Sequence, residues 1–145
     1  MRDRSPAPSS PEEEVARQRL EELRLALLRL HKTLIDSERL SYETTVGATP
    51  SPTQFLRLLI GDPSFAWLQP WSRLIVAMDE ALEEEGPLTR DGVDTLVRRA
   101  SLLLVASGEG DECSGPYFVA LQRDPDVVLA HAAVSRLIRP RDRGA

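Results

Sequence analysis

The feature that most constrains the fold is a long stretch near the N-terminus that contains no helix breaker. Between Pro11 and Gly47 the chain has neither proline nor glycine. Ser10 and Pro11, with Glu13 three residues after the serine, are typical of a helix start, because the hydroxyl caps a free N–H group and proline fits the first turn. The pattern predicts one helix from Pro11 to about Thr44, roughly 50 Å long at about 1.5 Å per residue.

Apolar side chains recur along this first helix at steps of three and four residues. Such spacing places them on one face, as in the seam of a coiled coil. The seam consists of Leu20, Leu23, Leu27, Leu30 and Leu34. A second stripe beside it contains Leu28, Ile35 and Tyr42. The middle of the helix is therefore expected to be buried on more than one side.

Prolines, glycines and capping residues divide the remaining chain into shorter helical segments. Helices are predicted from Pro52 to Ile60, from Pro70 to Leu82, from Thr89 to Leu104, from Pro116 to Gln122 and from Pro125 to Ile138, with a further turn or two after Asp62. No stretch shows the two-residue alternation of a strand. The predicted fold is all-α, an antiparallel bundle of four main helices plus two short connecting helices.

Length and composition favour one ordinary domain. The chain has 145 residues, and we expect a single bundle over residues 11–138 between disordered tails at 1–10 and 139–145. Its 18 basic and 23 acidic side chains give a net charge of −5, which offers no general attraction for nucleic acid or an anionic membrane. The N-terminus lacks the apolar core of a signal peptide, so we expect a cytoplasmic protein. The lone Cys113 is interpreted as a structural thiol.

The lengths of the predicted helices do not match. The first helix is about twice as long as the other main helices, so either the short helices cover its second half or its N-terminal turns protrude. A protruding leucine seam requires a partner. The sequence therefore predicts a homodimer, or a contact with another protein, through residues 15–30. The predicted interface residues are Leu20, Leu23, Leu27 and Leu30.

The second half of the first helix is unexpectedly polar. The seam continues into Ser37, and the second stripe includes His31 and Glu38. Buried polar groups are either hydrogen-bonded within the domain or available to a ligand. One interpretation is an internal network that holds residues 47–68 against the helix. The other interpretation is a bundle that binds a small molecule or a metal through the polar second half of the helix and could also be catalytic. Its predicted ligand-binding residues are His31, Asp36, Glu38, Tyr42 and Trp67.

The histidines give little support for metal or phosphotransfer chemistry. Neither His31 nor His131 follows a glutamate three residues earlier, as the bundle di-iron pattern requires, and neither begins the His-x-x-Lys-Gly pattern of histidine phosphotransfer domains. The sequence has no phosphate-binding glycine loop, nucleophile elbow or cofactor motif. No catalytic residue, metal ligand set or cofactor is predicted, and a non-enzymatic interaction module is favoured over an enzyme.

Three strings resemble segments of small bacterial proteins assigned to a domain of unknown function. They are Leu30-His31-Lys32-Thr33-Leu34-Ile35-Asp36-Ser37-Glu38-Arg39, Asp62-Pro63-Ser64-Phe65-Ala66-Trp67-Leu68 and Leu121-Gln122-Arg123-Asp124-Pro125-Asp126. The resemblance covers about residues 20–138. It implies a bacterial, cytoplasmic source and carries over no site residues.

Overall fold

The chain folds into α-helices throughout the part that the structure describes. This computed structural model describes residues 10–84, 88–105 and 114–139. These residues form α1 (Pro11–Val46), α2 (Pro52–Gly61), a 3₁₀ helix (Pro63–Leu68), α3 (Gln69–Glu83), α4 (Arg90–Leu103), α5 (Ser114–Arg123) and α6 (Pro125–Ile138), with no strand among them. The predicted all-α fold with a long N-terminal helix is confirmed. Cys113 and both predicted tails, apart from Ser10 and Arg139, lie outside the described residues.

The ends of α1 follow from local sequence. The Ser10 hydroxyl accepts the Glu13 N–H at 3.1 Å. At the other end Gly47 has φ 78° and its N–H donates to the Glu43 carbonyl at 2.8 Å, a left-handed ending that glycine adopts without steric cost. The Glu13 carboxylate accepts the Leu88 N–H at 3.3 Å and so ties the start of α1 to the approach to α4.

The predicted capping residues also start the shorter helices. Each side-chain oxygen accepts a backbone N–H two or three residues further on, which satisfies a group that has no partner within the helix. These residues are Ser51 before α2, Asp62 before the 3₁₀ helix, Thr89 before α4 and Asp124 before α6. Local sequence therefore sets most of the element boundaries.

α3 runs antiparallel to α1. The Arg17 guanidinium, near the start of α1, donates to the carbonyl of Leu82 at the end of α3 with a 3.0 Å distance. His31, four turns further along α1, is hydrogen-bonded to Ser72 at the start of α3. Residue numbers therefore increase along α1 as those of the facing residues on α3 decrease, so the two helices run in opposite directions. The short turn through the 3₁₀ helix is what brings α3 back along α1.

α4 runs parallel to α1. Glu13 binds the backbone of Leu88, and Arg19 forms an ion pair with Asp94 at 2.9 Å. The separation in sequence is the same in both pairs, so the two helices point the same way. Because α3 is antiparallel to α1, α3 and α4 are antiparallel to each other. The first three main helices therefore run up, down and up.

α6 returns along α1 in the opposite direction. Arg123, just before α6, is hydrogen-bonded to Ser37 in the second half of α1. Two turns into α6, His131 binds Tyr117, whose ring packs 5.0 Å from the ring of Trp71 beside the middle of α1. α6 therefore starts near residue 37 and proceeds toward the N-terminal half of α1, which completes the antiparallel four-helix bundle.

The expected protrusion of α1 is not present, which corrects the length argument. α3 and α4 pack against its N-terminal half, as the Arg17 and Arg19 contacts show, whereas the 3₁₀ helix and the start of α6 lie beside its second half. Because the neighbours are staggered, one face of α1 is buried from Ala16 to Ser37. The residues predicted as an interface are each at most 1% exposed and belong to the core of this chain, namely Leu20, Leu23, Leu27 and Leu30.

Candidate functional site

An apolar groove runs beside α2, between that helix, α1 and the start of α3. It has a volume of about 340 Å³. We call it the α2 groove, and its lining residues are His31, Ile35, Leu56, Leu59, Ile60, Leu68, Gln69, Ser72 and Arg73. Five of these nine side chains are apolar, and the polar ones come from α1 and α3. The groove therefore has an apolar wall on α2 and a polar edge opposite it.

α2 is anchored at one end by an aromatic contact and an arginine. Phe55 is buried, with its ring 5.8 Å from that of Phe65 in an edge-to-face arrangement. The Arg39 guanidinium lies 5.3 Å from the centre of the Phe55 ring and donates to the Pro50 carbonyl at 3.4 Å. These contacts fix α2 against the second half of α1.

The side of α2 that lines the groove remains exposed. Leu56 is 55% exposed and Ile60 is 68% exposed, while Leu59 between them is half-buried. α2 packs chiefly against the 3₁₀ helix and makes few contacts with α1. A helix of this length has little stability alone, so α2 holds its place through Phe55 and Arg39 and leaves apolar surface uncovered.

The floor of the groove carries a hydrogen-bonded pair from two helices. His31 Nε2 lies 3.0 Å from Ser72 Oγ. Burial lowers the pKa of His31 below its ordinary value because the charged imidazolium loses solvation. The ring is therefore neutral near pH 7, and its Nε2 accepts the serine hydroxyl when the tautomer carries the proton on Nδ1.

The polar edge of the groove contains one charged side chain. Arg73 is exposed, and one of its nitrogens donates to Gln69 Oε1 at 3.2 Å, an i, i+4 pair on α3. A guanidinium has five N–H donors, so this bond uses a small part of its capacity. None of the nine lining residues is a carboxylate, which leaves the groove positive within a chain whose net charge is −5.

A second depression lies on the opposite side of α2. It has a volume of about 660 Å³ and is formed by the end of α1, the loop before α2 and the other face of α2. Tyr42 lines it, with its ring 6.3 Å from that of Phe65. Arg57 and Asp62, of opposite charge, share its rim. The depression is larger than the α2 groove, but its lining is divided among α1, α2 and the segments that flank α2, and it mixes charges.

The five predicted ligand-binding residues do not converge on one site. His31 lines the α2 groove and Tyr42 lines the depression across α2. Trp67 is 5% exposed and lies in the core, whereas Asp36 is exposed to solvent. Glu38 forms an ion pair on another side of α1. Of the predicted ligand residues, only His31 belongs to the groove.

The polar end of α1 forms an internal network. Ser37 is 2% exposed, and its hydroxyl accepts hydrogen bonds from Arg123 Nε at 3.2 Å and from Arg123 Nη2 at 2.8 Å. The same Nη2 lies 3.0 Å from a carboxylate oxygen of Glu38. This network ties α1 to the junction of α5 and α6. The expected contact with residues 47–68 is made instead by Arg39, through Pro50 and Phe55.

The two histidines have separate partners. His131 Nδ1 lies 2.6 Å from the hydroxyl of the fully buried Tyr117, while His31 binds Ser72. His31 and His131 therefore do not meet at one site in this structure. Among residues 10–84, 88–105 and 114–139 no three histidine, cysteine, aspartate or glutamate side chains are grouped closely enough to hold a metal ion.

The groove depends on residues that the sequence interpretation did not single out. Leu56, Ser72 and Arg73 were assigned only to helices. A signal for Leu56 alone is present in α2, where Phe55, Leu56, Leu58, Leu59 and Ile60 are apolar within six residues. These apolar residues cover a wider arc of α2 than the face that Phe55 buries, so part of the arc is left to line a groove.

Comparisons of this chain with known proteins identify no relative from which a function could be inferred. The chain matches no protein-family model, no curated protein and no solved structure. None of the helices in the described part of the chain is both long and apolar enough to cross a membrane.

Proposed function

We propose that this chain is a non-enzymatic protein–protein interaction module whose α2 groove receives an amphipathic helix of a partner protein. The observation that carries the proposal is the uncovered apolar rim of the groove. Leu56 and Ile60 stand 55% and 68% exposed beside a trough of about 340 Å³. An exposed apolar surface next to a concave one is typical of a helix-binding groove.

The shape of the groove favours a docked helix over a small molecule. Small-molecule sites bury about 70–90% of their ligand, but the exposed Leu56 and Ile60 leave this groove open along one side. A partner helix covers such a rim because its side chains at i, i+3, i+4 and i+7 reach both walls. Ile35 and Leu68 then provide apolar contacts beside the His31–Ser72 pair.

The charge of the groove favours a different protein over a second copy of this chain. In a symmetric dimer the same patch meets itself, so two linings that each contain Arg73 and no carboxylate would face each other. Like charges in contact oppose association. A partner with its own sequence avoids this repulsion.

Hydrolysis at the His31–Ser72 pair is less well supported. A serine nucleophile needs a base that a third group orients, usually a carboxylate hydrogen-bonded to the other ring nitrogen. In the described part of the chain, the one side-chain hydrogen bond of His31 goes to Ser72. The pair therefore fits better as a link between α1 and α3 that shapes the groove floor.

The test uses a pair of substitutions matched in exposure. Ile60 lines the groove at 68% exposure, and Leu129 on α6 is 69% exposed away from it. The probe is a fluorescein-labelled helical peptide with leucine at i, i+3, i+4 and i+7 and glutamine elsewhere, followed by fluorescence anisotropy. We expect Ile60→Glu to weaken binding by about tenfold or more, because a carboxylate enters an apolar contact. Leu129→Glu should leave the affinity unchanged.

Two results would contradict the proposal. One is equal binding of the peptide by wild type and Ile60→Glu, or no saturable binding by either. The other is a stable dimer in sedimentation that Ile60→Glu converts to a monomer, because the groove would then be occupied by a second copy. Circular dichroism of both variants controls for folding, since surface substitutions usually change stability by less than about 0.5 kcal/mol.

A further inference from the structure

The charge of the α2 groove is confined to its α3 edge, opposite the apolar wall. Arg73 stands there beside Gln69, while Leu56 and Ile60 form the wall on α2. A helix lying in the groove would present its apolar side to Leu56 and Ile60. One flank of that helix would then pass along Arg73. The side chains on that flank decide whether the Arg73 guanidinium gains an ion-pair partner or loses solvation without one.

We infer that the partner helix carries a carboxylate on the flank that meets Arg73. The inference rests on the proposed docking function and specifies the chemistry of its ligand. Gln69 orients the Arg73 side chain through one hydrogen bond at 3.2 Å. A guanidinium held in this way can offer two parallel N–H donors to a carboxylate, the geometry that arginine favours.

Neighbouring polar groups support a carboxylate rather than a neutral amide at this place. The lining contains no aspartate or glutamate that would compete for Arg73. The Ser72 hydroxyl is engaged by His31 at 3.0 Å, and Arg73 is the charged donor on this edge. Since His31 is neutral near pH 7, the guanidinium supplies the charge that a ligand senses.

The experiment compares three labelled helical peptides with the same leucine pattern. Their flanking positions hold glutamate, glutamine or lysine, and the dissociation constants are measured by fluorescence anisotropy at low and high salt. We expect the glutamate peptide to bind about three- to tenfold more tightly than the glutamine peptide, as for a partly exposed bidentate ion pair. The lysine peptide should bind more weakly than both.

Two charge-matched variants separate a local contact from general attraction. Arg73→Gln should abolish the preference for glutamate over glutamine and leave the affinity for the glutamine peptide unchanged. Arg98→Gln removes the same charge from an exposed position on α4, outside the groove lining. It should preserve the preference. A loss of preference that is equal in both variants would overturn the inference, because net charge would then explain it.

The failure of this inference is distinguishable from that of the docking proposal. If the glutamate and glutamine peptides bind alike and Ile60→Glu weakens both, the groove binds a helix and the carboxylate inference is wrong. If none of the peptides binds, or Ile60→Glu has no effect on any of them, the docking proposal itself is wrong and the inference falls with it.

Discussion

The substitution Leu27→Ala tests whether the leucine seam of α1 belongs to the core of a single chain. Leu27 is completely buried, whereas Leu25 on the same helix is 51% exposed. Truncation at Leu27 removes three buried carbon groups, worth about 0.8 kcal/mol each in lost hydrophobic transfer. A residual cavity adds to this loss, so we expect the free energy of unfolding to fall by about 3 kcal/mol.

The assay is urea unfolding followed by circular dichroism, with Leu25→Ala as the matched control. Because Leu25 is half in solvent, its truncation should change the free energy of unfolding by no more than about 0.5 kcal/mol. In thermal unfolding Leu27→Ala should lower the Tm by roughly 9 °C, at about 3 °C per kcal/mol for a chain of this size.

The dependence on protein concentration separates a core from a dimer interface. If the seam is internal, the loss caused by Leu27→Ala is the same over roughly a hundredfold range of protein concentration. The reasoning is refuted if Leu27→Ala costs less than about 1 kcal/mol, or if the loss grows with concentration. Either result would mean that the leucine seam lies on the surface of the folded chain and not in its core.

Three further predictions concern the polar network, the histidines and the end of α1. In a double-mutant cycle, Ser37→Ala and Arg123→Gln should show a coupling of at least about 0.5 kcal/mol, because they share two hydrogen bonds at a buried site; additive losses would contradict a structural role. Burial lowers the pKa of both His31 and His131 from 6.5, so the unfolded chain binds more protons just below that pH and the free energy of unfolding should decrease there on acidification. Urea titrations should show a weaker decrease for the double variant His31→Gln, His131→Gln, and an unchanged slope would argue against this origin. Gly47→Ala should cost about 1 kcal/mol because φ is 78°, whereas Gly61→Ala, in equally open space without a positive φ, should not destabilise.

The element boundaries of the bundle were predictable because their causes are local. The hydroxyls of Ser10, Ser51 and Thr89 and the carboxylate of Asp124 each satisfy N–H groups within three residues. Such contacts depend on sequence spacing alone. The same holds for the ending at Gly47. The apolar period of α1 likewise identified its buried face correctly.

The covering of that face was not predictable from the helix lengths. The comparison of lengths assumed neighbours that lie side by side, and it therefore left half of α1 uncovered. The actual neighbours are staggered, with Arg17 beside the end of α3 and Ser37 beside the start of α6. The stagger depends on contacts between residues that are tens of positions apart, which periodicity does not record.

The candidate site was predictable only in part for the same reason. His31 was identified because a polar residue interrupts an apolar stripe. Its partner Ser72 lies 41 residues away on α3, and the opposing wall comes from Leu56 and Ile60 on α2. A groove exists only where the surfaces of several helices meet, so no single stretch of sequence contains it.

The sequence by itself determined most of the helix boundaries and which face of α1 avoids water, because capping and hydrophobic periodicity act over a few residues. Only the tertiary structure decided what covers that face. Four leucines that were predicted to form an interface are buried in the core instead, namely Leu20, Leu23, Leu27 and Leu30. Leu56 and Ile60 remain exposed. The physical reason is that burial depends on which helices meet, and their meeting is fixed by long-range packing and hydrogen bonds.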